Sequence, residues 1–570
     1  MNIQDNLDAL RRMSVNPQPG TKEYEKWLKA QEFIKFLHES KDDEIPIYVS
    51  FKGMYMYSAL VLIRHLKDNY VEDLFDWNCG PTNSWSVGYS FRKDGRPKNV
   101  KIYPPFDGAD SKILEKARPL TYLRSFEGRI GDKGYVECSQ YLAHLHGLHF
   151  DESRKVYCRL DENGDIEEVI KIHKKAGEIL VTIKKYVLEL HLFLTKSALV
   201  RLFDVTRSDD WSGFHQKRRD DFRKEDDVNE IYYRGAIIFD SKNIPSAGYL
   251  RGFQIIRNEQ PLTKMLDILD GKDRKKKKYE KFIAEDWKHG KIEEISCNPK
   301  DLDNYFSDTG KPFTTTPAFF NPEVLMKYKQ DPEKYTLKHR SIACRGSWYL
   351  QTYDINHKTG QVHTYLKYLG DLPHSEQLHW KTYNEKPKGG ISKRAFKTDF
   401  KAQWDTSYDP HSELIRTLKD LEKQKKELWS CKDENLWDQI HYPVTDNVKE
   451  WADEIHNLDK LVVEGINKSY LKKIAKSLNC YDSKLGSIQL LRAILESQGI
   501  DKEEINEIIH PLTKIHFLRT KFSGHIGGQE AVKIRKQLIK EHGNLRDQYR
   551  NLLERTEQAI KGIADTISGG

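Results

Sequence analysis

The sequence predicts an α+β multidomain protein: a mixed, β-containing N-terminal region followed by an all-α domain over 411–570. Three observations predict it. Eighteen of the twenty prolines lie at or before Pro410, and only Pro443 and Pro511 follow. Proline breaks helix interiors, so the last stretch is free to form long helices. Apolar residues there recur at helical steps. Between about 120 and 265, and again from Arg340 to Gly370, apolar runs bounded by turn residues read instead as strands.

Composition sets the limits. The chain has 570 residues, enough for about three or four domains. Its 94 basic and 86 acidic residues leave a net charge of +8, which excludes a polycation and leaves room for a local basic site. Aromatic residues make up 11%, whereas disordered chains are poor in them. The longest apolar runs, Ser58 to Ile63 and Ile179 to Ile183, fall far short of the roughly 18–20 residues of a membrane span. No secretory signal is visible at Met1 to Asp5. Seven cysteines without a Cys-x-x-Cys pair argue against a disulfide framework and a zinc ribbon. The expectation is a soluble cytoplasmic protein with no membrane partner and no cofactor.

The elements follow in order. In a mixed module over 1–120, Tyr24 to His38 predicts an amphipathic helix, Ile45 to Phe51 a strand and Met54 to Leu66 another helix. A β-rich module covers 121–265. Lys155 to Leu160 and Ile166 to Ile172 flank the turn Asp161-Glu-Asn-Gly-Asp165, and Ile231 to Phe239 and Tyr249 to Ile256 read as strands. Val181 to Leu194 and Ser197 to Phe203 fit helix or buried strand equally. The module over 266–410 opens with a surface helix or linker, Asp267 to His289, containing Lys275-Lys-Lys-Lys278. A hairpin follows, Trp348 to Asp354 and Gln361 to Tyr368 around Asn356-His-Lys-Thr-Gly360. In the last domain, Leu414, Leu418 and Leu421, then Leu471, Ile474 and Leu478, mark helices. After Gly528, Ile534, Leu538, Leu545, Tyr549, Leu552, Ile560, Ile563 and Ile567 predict one helix of about 38 residues.

The most informative segment is His516-Phe-Leu-Arg519-Thr-Lys-Phe-Ser-Gly-His525-Ile-Gly-Gly, set between helical patterns near the C-terminus. An Arg followed by a His in this setting resembles the HEPN superfamily over about 411–570. The resemblance implies a four-helix-type domain whose Arg-x(4–6)-His motif cleaves RNA without metal, two motifs meeting in a dimer cleft. The chemistry suits the residues. Histidine exchanges protons near neutral pH, and an Arg fork neutralises charge building on a phosphate. Six residues turn an unbroken helix by about 600°, so Arg519 and His525 align only if the Ser523-Gly524 and Gly527-Gly528 pairs interrupt it. Free N–H groups at the next helix start would also suit a phosphate. Lys521 is a further electrostatic candidate. The same residues also fit an interhelical turn with a capping His and a surface Arg.

A second candidate is basic and aromatic. Lys393, Lys397 and Lys401 step by four, as do Phe396, Phe400 and Trp404. On a helix they form adjacent stripes, which fit RNA binding by Lys393, Lys397, Lys401 and Trp404, or a plain face with aromatics inward and lysines in water. Two metal patterns are weaker. His144, His146 and His149 cluster ahead of Asp151 and Glu152. Asp240 and Lys242 end a strand, with Asp226 and Asp227 upstream, as in magnesium nucleases. The Asp161 to Asp165 turn departs from a calcium loop in its Gly position.

These observations point first to a metal-independent RNA endonuclease. The family resemblance adds the role of effector in bacterial antiphage abortive infection, with an N-terminal sensing region, a phage-derived protein trigger and a homodimer or higher oligomer. The seam Ile534–Leu538–Leu545 is the expected dimer contact. A non-catalytic nucleic-acid- or protein-binding scaffold is the alternative, and a magnesium nuclease through Asp240 and Lys242 the third.

Overall fold

The computed structural model describes residues 1–570 apart from 79–84, 107–109, 125–134, 176, 209–217, 241, 270–276, 305, 339, 357, 404–407, 425–426, 523–527 and 569–570. The chain forms two compact units, Met1–Asp161 with Asp165–Lys276, and Glu162–Gly164 with Lys277–Gly570. The α+β class holds: strands dominate the first unit, and the end of the second is helical.

The first unit is built on one antiparallel sheet. Its strands are β1 (Glu44–Phe51), β2 (Met54–Leu62), β3 (His149–Asp151), β4 (Val156–Leu160), β5 (Ile166–Lys175), β6 (Glu178–Lys184), β7 (Ser197–Ser208), β8 (Arg218–Asp226), β9 (Ile231–Phe239) and β10 (Pro245–Ile256). They lie in the order β8-β9-β10-β7-β2-β1-β6-β5-β4-β3, and Arg118–Pro119 adds a short pairing to β2. The expected boundary at 120/121 therefore falls inside a single sheet. Both faces of its centre are covered. Helices α1 (Ile3–Met13), α2 (Lys22–Leu28) and α3 (Gln31–Glu39) precede β1, and α4 (Lys185–Thr195) links β6 to β7. Leu10, Phe33 and Phe36 pack with Val49 and Phe51 in one core, while Leu188 and Leu192 pack with Ile45 and Ile47 in another. A bulge between Pro46 and Tyr48 switches which residues of β1 face which core.

Three expectations change here. Met54 to Leu62 is strand β2, not helix. It lies between β1 and β7 with both faces buried, so its apolar residues form a run with no period to read. Tyr24 to His38 is two helices, divided at Ala30, whose φ of 49° ends the first. The ambiguous stretch from Val181 resolves into β6, α4 and β7.

The second unit begins with a smaller antiparallel sheet of β11 (Lys281–Asp286), β12 (Lys291–Ser296), β13 (Pro317–Phe320), β14 (Asp354–Ile355), β15 (Val362–Tyr365) and β16 (Asn384–Glu385). The order is β12-β11-β13-β15-β14, with β16 also on β13. The expected linker from Asp267 thus contains a strand. The expected hairpin shrinks to β14 and β15, because Trp348–Leu350 pairs with Ile342–Cys344 in a separate three-stranded sheet. Helix α5 (His374–Thr382) packs its buried Trp380 against Phe320 of β13.

Seven helices complete the unit: α6 (Pro410–Lys423), α7 (Val448–Val462), α8 (Lys468–Ser477), α9 (Ser487–Ser497), α10 (Lys502–Phe522), α11 (Gln529–His542) and α12 (Leu545–Ser568). Helices α6, α7, α10 and α12 pack around one core that includes Leu418, Trp451, Leu512 and Leu553. This core is not detached from the preceding sheet. Lys329 reaches Glu450 at 2.6 Å and Glu454 at 2.7 Å on α7, and Val444 packs in the sheet's core. The expected division at 410/411 is therefore a change of secondary structure within one unit. Pro511 sits inside α10 without ending it. The expected 38-residue helix is two helices, separated at Gly543, whose φ of 87° suits glycine. The proposed dimer seam is also reassigned. Leu538 and Leu545 are buried in their own unit's core and Ile534 packs against it, so that apolar face is already covered. No described helix is long and apolar enough to cross a membrane.

Candidate functional site

Arg519 lies on the last turn of α10. Its Nη1 donates to Asp459 Oδ2 at 2.5 Å and to a Glu464 carboxylate oxygen. Asp459 is fully buried on α7, so the bond fixes the guanidinium from below. The hydrogen bond to Asp459 leads in raising the Arg519 pKa, and the cation stays charged. Nε and Nη2 donate to no described residue, and a quarter of the side chain is exposed. His516, one turn earlier, faces the other oxygen of Asp459 through Nδ1 at 3.2 Å and is otherwise largely exposed. An imidazole N–H facing a carboxylate oxygen is the donor. Burial, then Lys460 and Arg519, lower the pKa of nearby His456. The cluster thus holds an oriented cation and a carboxylate-backed histidine, with two acids against one guanidinium.

His525 lies outside the described residues, within the connection between Phe522 and Gln529. Lys521 pairs with Glu530 at 2.8 Å across that connection, which occupies its ammonium.

The second candidate gathers around a different segment. The predicted helix from Lys393 is only one turn, Lys393–Ala395, followed by a π-turn over Phe396–Phe400. The Ser392 hydroxyl caps it through the Ala395 N–H at 2.9 Å. Beneath it, Arg394 Nε donates to Asp354 at 3.1 Å, and Arg340 bonds both oxygens of Asp399 at 2.8 and 2.6 Å. Tyr365 also donates to Asp399. Arg394 then leads in holding the buried Asp354 carboxyl low, at about 2, against burial. These inward ties leave Lys393, Lys397 and Lys401 on the open side, lining one groove of about 770 Å³. The plain expectation that the aromatics face inward does not hold: Phe396 is 46% and Phe400 38% exposed. Trp404 lies outside the described residues. Trp287, Lys291 and Ile292 of the β11–β12 hairpin supply the opposite wall.

The weaker candidates separate. Asp240 Oδ1 accepts from the N–H groups of Lys242 and Ile244 at 2.9 and 2.8 Å, a turn-forming role. Asp226 pairs with Ile231 and Arg218 with Phe239, so Asp226 and Asp240 sit at opposite ends of the β8–β9 ladder, roughly 25 Å apart. His144 and His149 are exposed, whereas His146 is buried against His191 at 3.2 Å. Among the described residues no group of three or more potential ligands is placed to hold a metal ion. Lys277 donates to the Asp371 carbonyl at 2.9 Å, and Lys275 lies outside the described residues.

Sequence reasoning missed Asp459, Glu464, Trp287 and Lys291. For Trp287 a signal exists: Trp287-Lys-His-Gly290 is a glycine turn between two short runs, which places an aromatic at a hairpin tip. For His516, which was given no role, the signal is its place one helical turn before Arg519. Nothing in the sequence pairs Asp459 with Arg519. The chain matches no protein-family model, no curated protein and no solved structure.

Proposed function

We propose that this chain is a metal-independent RNA endonuclease acting in bacterial antiphage defence, with Arg519 and His525 as its catalytic pair. The observation that carries the reading is the state of Arg519. Nη1 is anchored to two carboxylates, while Nε and Nη2 donate to no described residue and would be available to an incoming phosphate. A preorganised donor edge stabilises charge as it develops. The reading is also compatible with the helical character of this region, where all seven helices α6–α12 contribute to one core. In the reaction the ribose 2′-oxygen bonds to phosphorus while the bond to the 5′-oxygen breaks. His525 serves as the proton acceptor for the 2′-hydroxyl or the donor to the leaving oxygen. The products are a 2′,3′-cyclic phosphate and a 5′-hydroxyl. A homodimer or higher oligomer and a phage-derived trigger belong to the same proposal.

The test is RNA cleavage in excess chelator by the full chain and by His525→Ala, Arg519→Ala and Arg519→Lys, with melting temperatures as a folding control. Loss of cleavage in folded variants supports the pair. Undiminished cleavage by His525→Ala removes it.

A non-catalytic nucleic-acid-binding scaffold is the second reading. The observation favouring it is that Asp459 and Glu464 outweigh the Arg519 charge. Binding of RNA with no cleavage under any condition selects it.

A further inference from the structure

We propose that the groove between the β11–β12 hairpin and the 390–401 segment binds single-stranded nucleic acid, its lysines on phosphates and its aromatic wall on a base. The choice of RNA over DNA rests on the ribonuclease reading, whereas the groove itself does not.

Charge is the first argument. Lys291, Lys393, Lys397 and Lys401 line the groove, and none pairs with a carboxylate among the described residues. Two acids share the lining. Asp286 is fully buried and turned away, accepting from the Lys288 and His289 N–H groups and facing His289 Nδ1 at 2.5 Å. Among the described lining residues Glu285 alone remains to offset four ammonium groups. Elsewhere in this unit lysines find acids readily, as Lys288 does with Asp303 at 2.9 Å and Lys381 with Glu280 at 2.7 Å. Four cations around one cleft, none paired with a carboxylate among the described residues, fit a polyanion.

The aromatic wall is the second. Phe400 lies 5.3 Å from Trp287 and 5.9 Å from Phe396, with the two phenyl rings nearly parallel at 25°. The Lys401 ammonium sits 5.3 Å from the Phe396 ring. Trp287 is still 38% exposed and Phe396 46%. An aromatic stack left open beside lysines suits an unstacked base, which a duplex does not offer.

Rigidity is the third. Asp354 and Asp399 hold the segment from inside through Arg394 and Arg340. The lysines are therefore presented at fixed spacing, and little order has to be gained on binding. The groove volume of about 770 Å³ lies in the range of ligand clefts.

The experiment is fluorescence anisotropy on the full chain with a short labelled 2′-fluoro-oligouridine. This strand lacks the attacking hydroxyl, so binding is read whether or not the chain is a ribonuclease. Saturable binding to the single strand is expected, with a log–log salt slope of about −0.7 for each neutralised phosphate, so close to −3 for four lysines. Lys393→Ala with Lys397→Ala should flatten the slope by about 1.4. Phe396→Ala should weaken binding about tenfold with the slope unchanged. Melting temperatures should stay at the parent value, because these side chains are exposed. An unchanged slope in the double variant, or a duplex bound as tightly as the single strand, overturns the site. An oligodeoxynucleotide bound more tightly than the ribose-type strand overturns the RNA assignment.

Discussion

The buried carboxylate of Asp459 on α7 holds Arg519 on the last turn of α10 through a 2.5 Å hydrogen bond. The bond joins the interior of the helical core to the cation proposed to meet the scissile phosphate. It also makes the orientation of Arg519 depend on a fully buried residue. Asp459→Asn should lower stability by about 2 kcal/mol, the scale of a hydrogen bond to a charged group. As a positioning change it should also slow RNA cleavage while leaving groove binding unaltered. Urea unfolding and single-turnover cleavage read the two effects separately. Full activity in Asp459→Asn would show that Arg519 needs no such support.

Acid should weaken the first unit through His146 and His191. Their ring nitrogens are 3.2 Å apart in a buried site, and burial pushes both pKa values down to about 4. Between the ordinary value of 6.5 and that level the unfolded chain takes up more protons than the folded one. Stability therefore falls as pH drops from 6.5 towards 4. Replacing the pair by Leu and Phe should flatten this part of the stability–pH curve, measured by urea midpoints from pH 7 to pH 4.5.

Lys329 should matter more in base than in acid. Burial pushes the Glu454 carboxyl up to about 7 despite its ion pair with Lys329. This folded value lies above the unfolded one, so the stability it brings is complete below about 4.5 and lost as pH rises through 7. Lys329→Met leaves Glu450 and Glu454 buried without their cation. It should destabilise by about 3–5 kcal/mol at pH 8 and by clearly less at pH 6, where Glu454 holds a proton. Equal losses at the two pH values would contradict the burial of these carboxylates.

Gly543 should resist substitution. Its φ of 87° divides α11 from α12 and lets Leu538 and Leu545 enter the same core. Gly543→Ala should lower stability by about 1–3 kcal/mol. No loss would mean that the chain passes through this point as a continuous helix.

Much of the fold was legible because local pattern decided it. The scarcity of proline after Pro410 and the spacing of Leu414, Leu418 and Leu421 marked the helical region, and the turn from Asp161 to Asp165 marked a hairpin. Errors arose where distant residues decide. Met54 to Leu62 is a strand because β1 and β7 flank it and cores cover both faces, which its own letters do not state. The apolar face after Gly528 read as an interface because its covering helices were not visible. For the sites, Lys393, Lys397 and Lys401 were found by spacing, yet the aromatics beside them turn outward because the Asp354 and Asp399 ties replace a regular helix with a π-turn. Lys291 and Asp459 come from other elements and only tertiary structure brings them into place.

The position of β1 and β2 in the middle of the large sheet has a consequence for synthesis. Their outer neighbours are β6 and β7, which begin at Glu178 and end at Ser208. On the ribosome the central hairpin emerges first, and residues 63–177 must follow before either flank exists. Such distant pairing makes folding slow and leaves apolar strands uncovered in the nascent chain. The first unit should therefore depend on chaperones during translation, and truncations ending before Ser208 should yield insoluble chains.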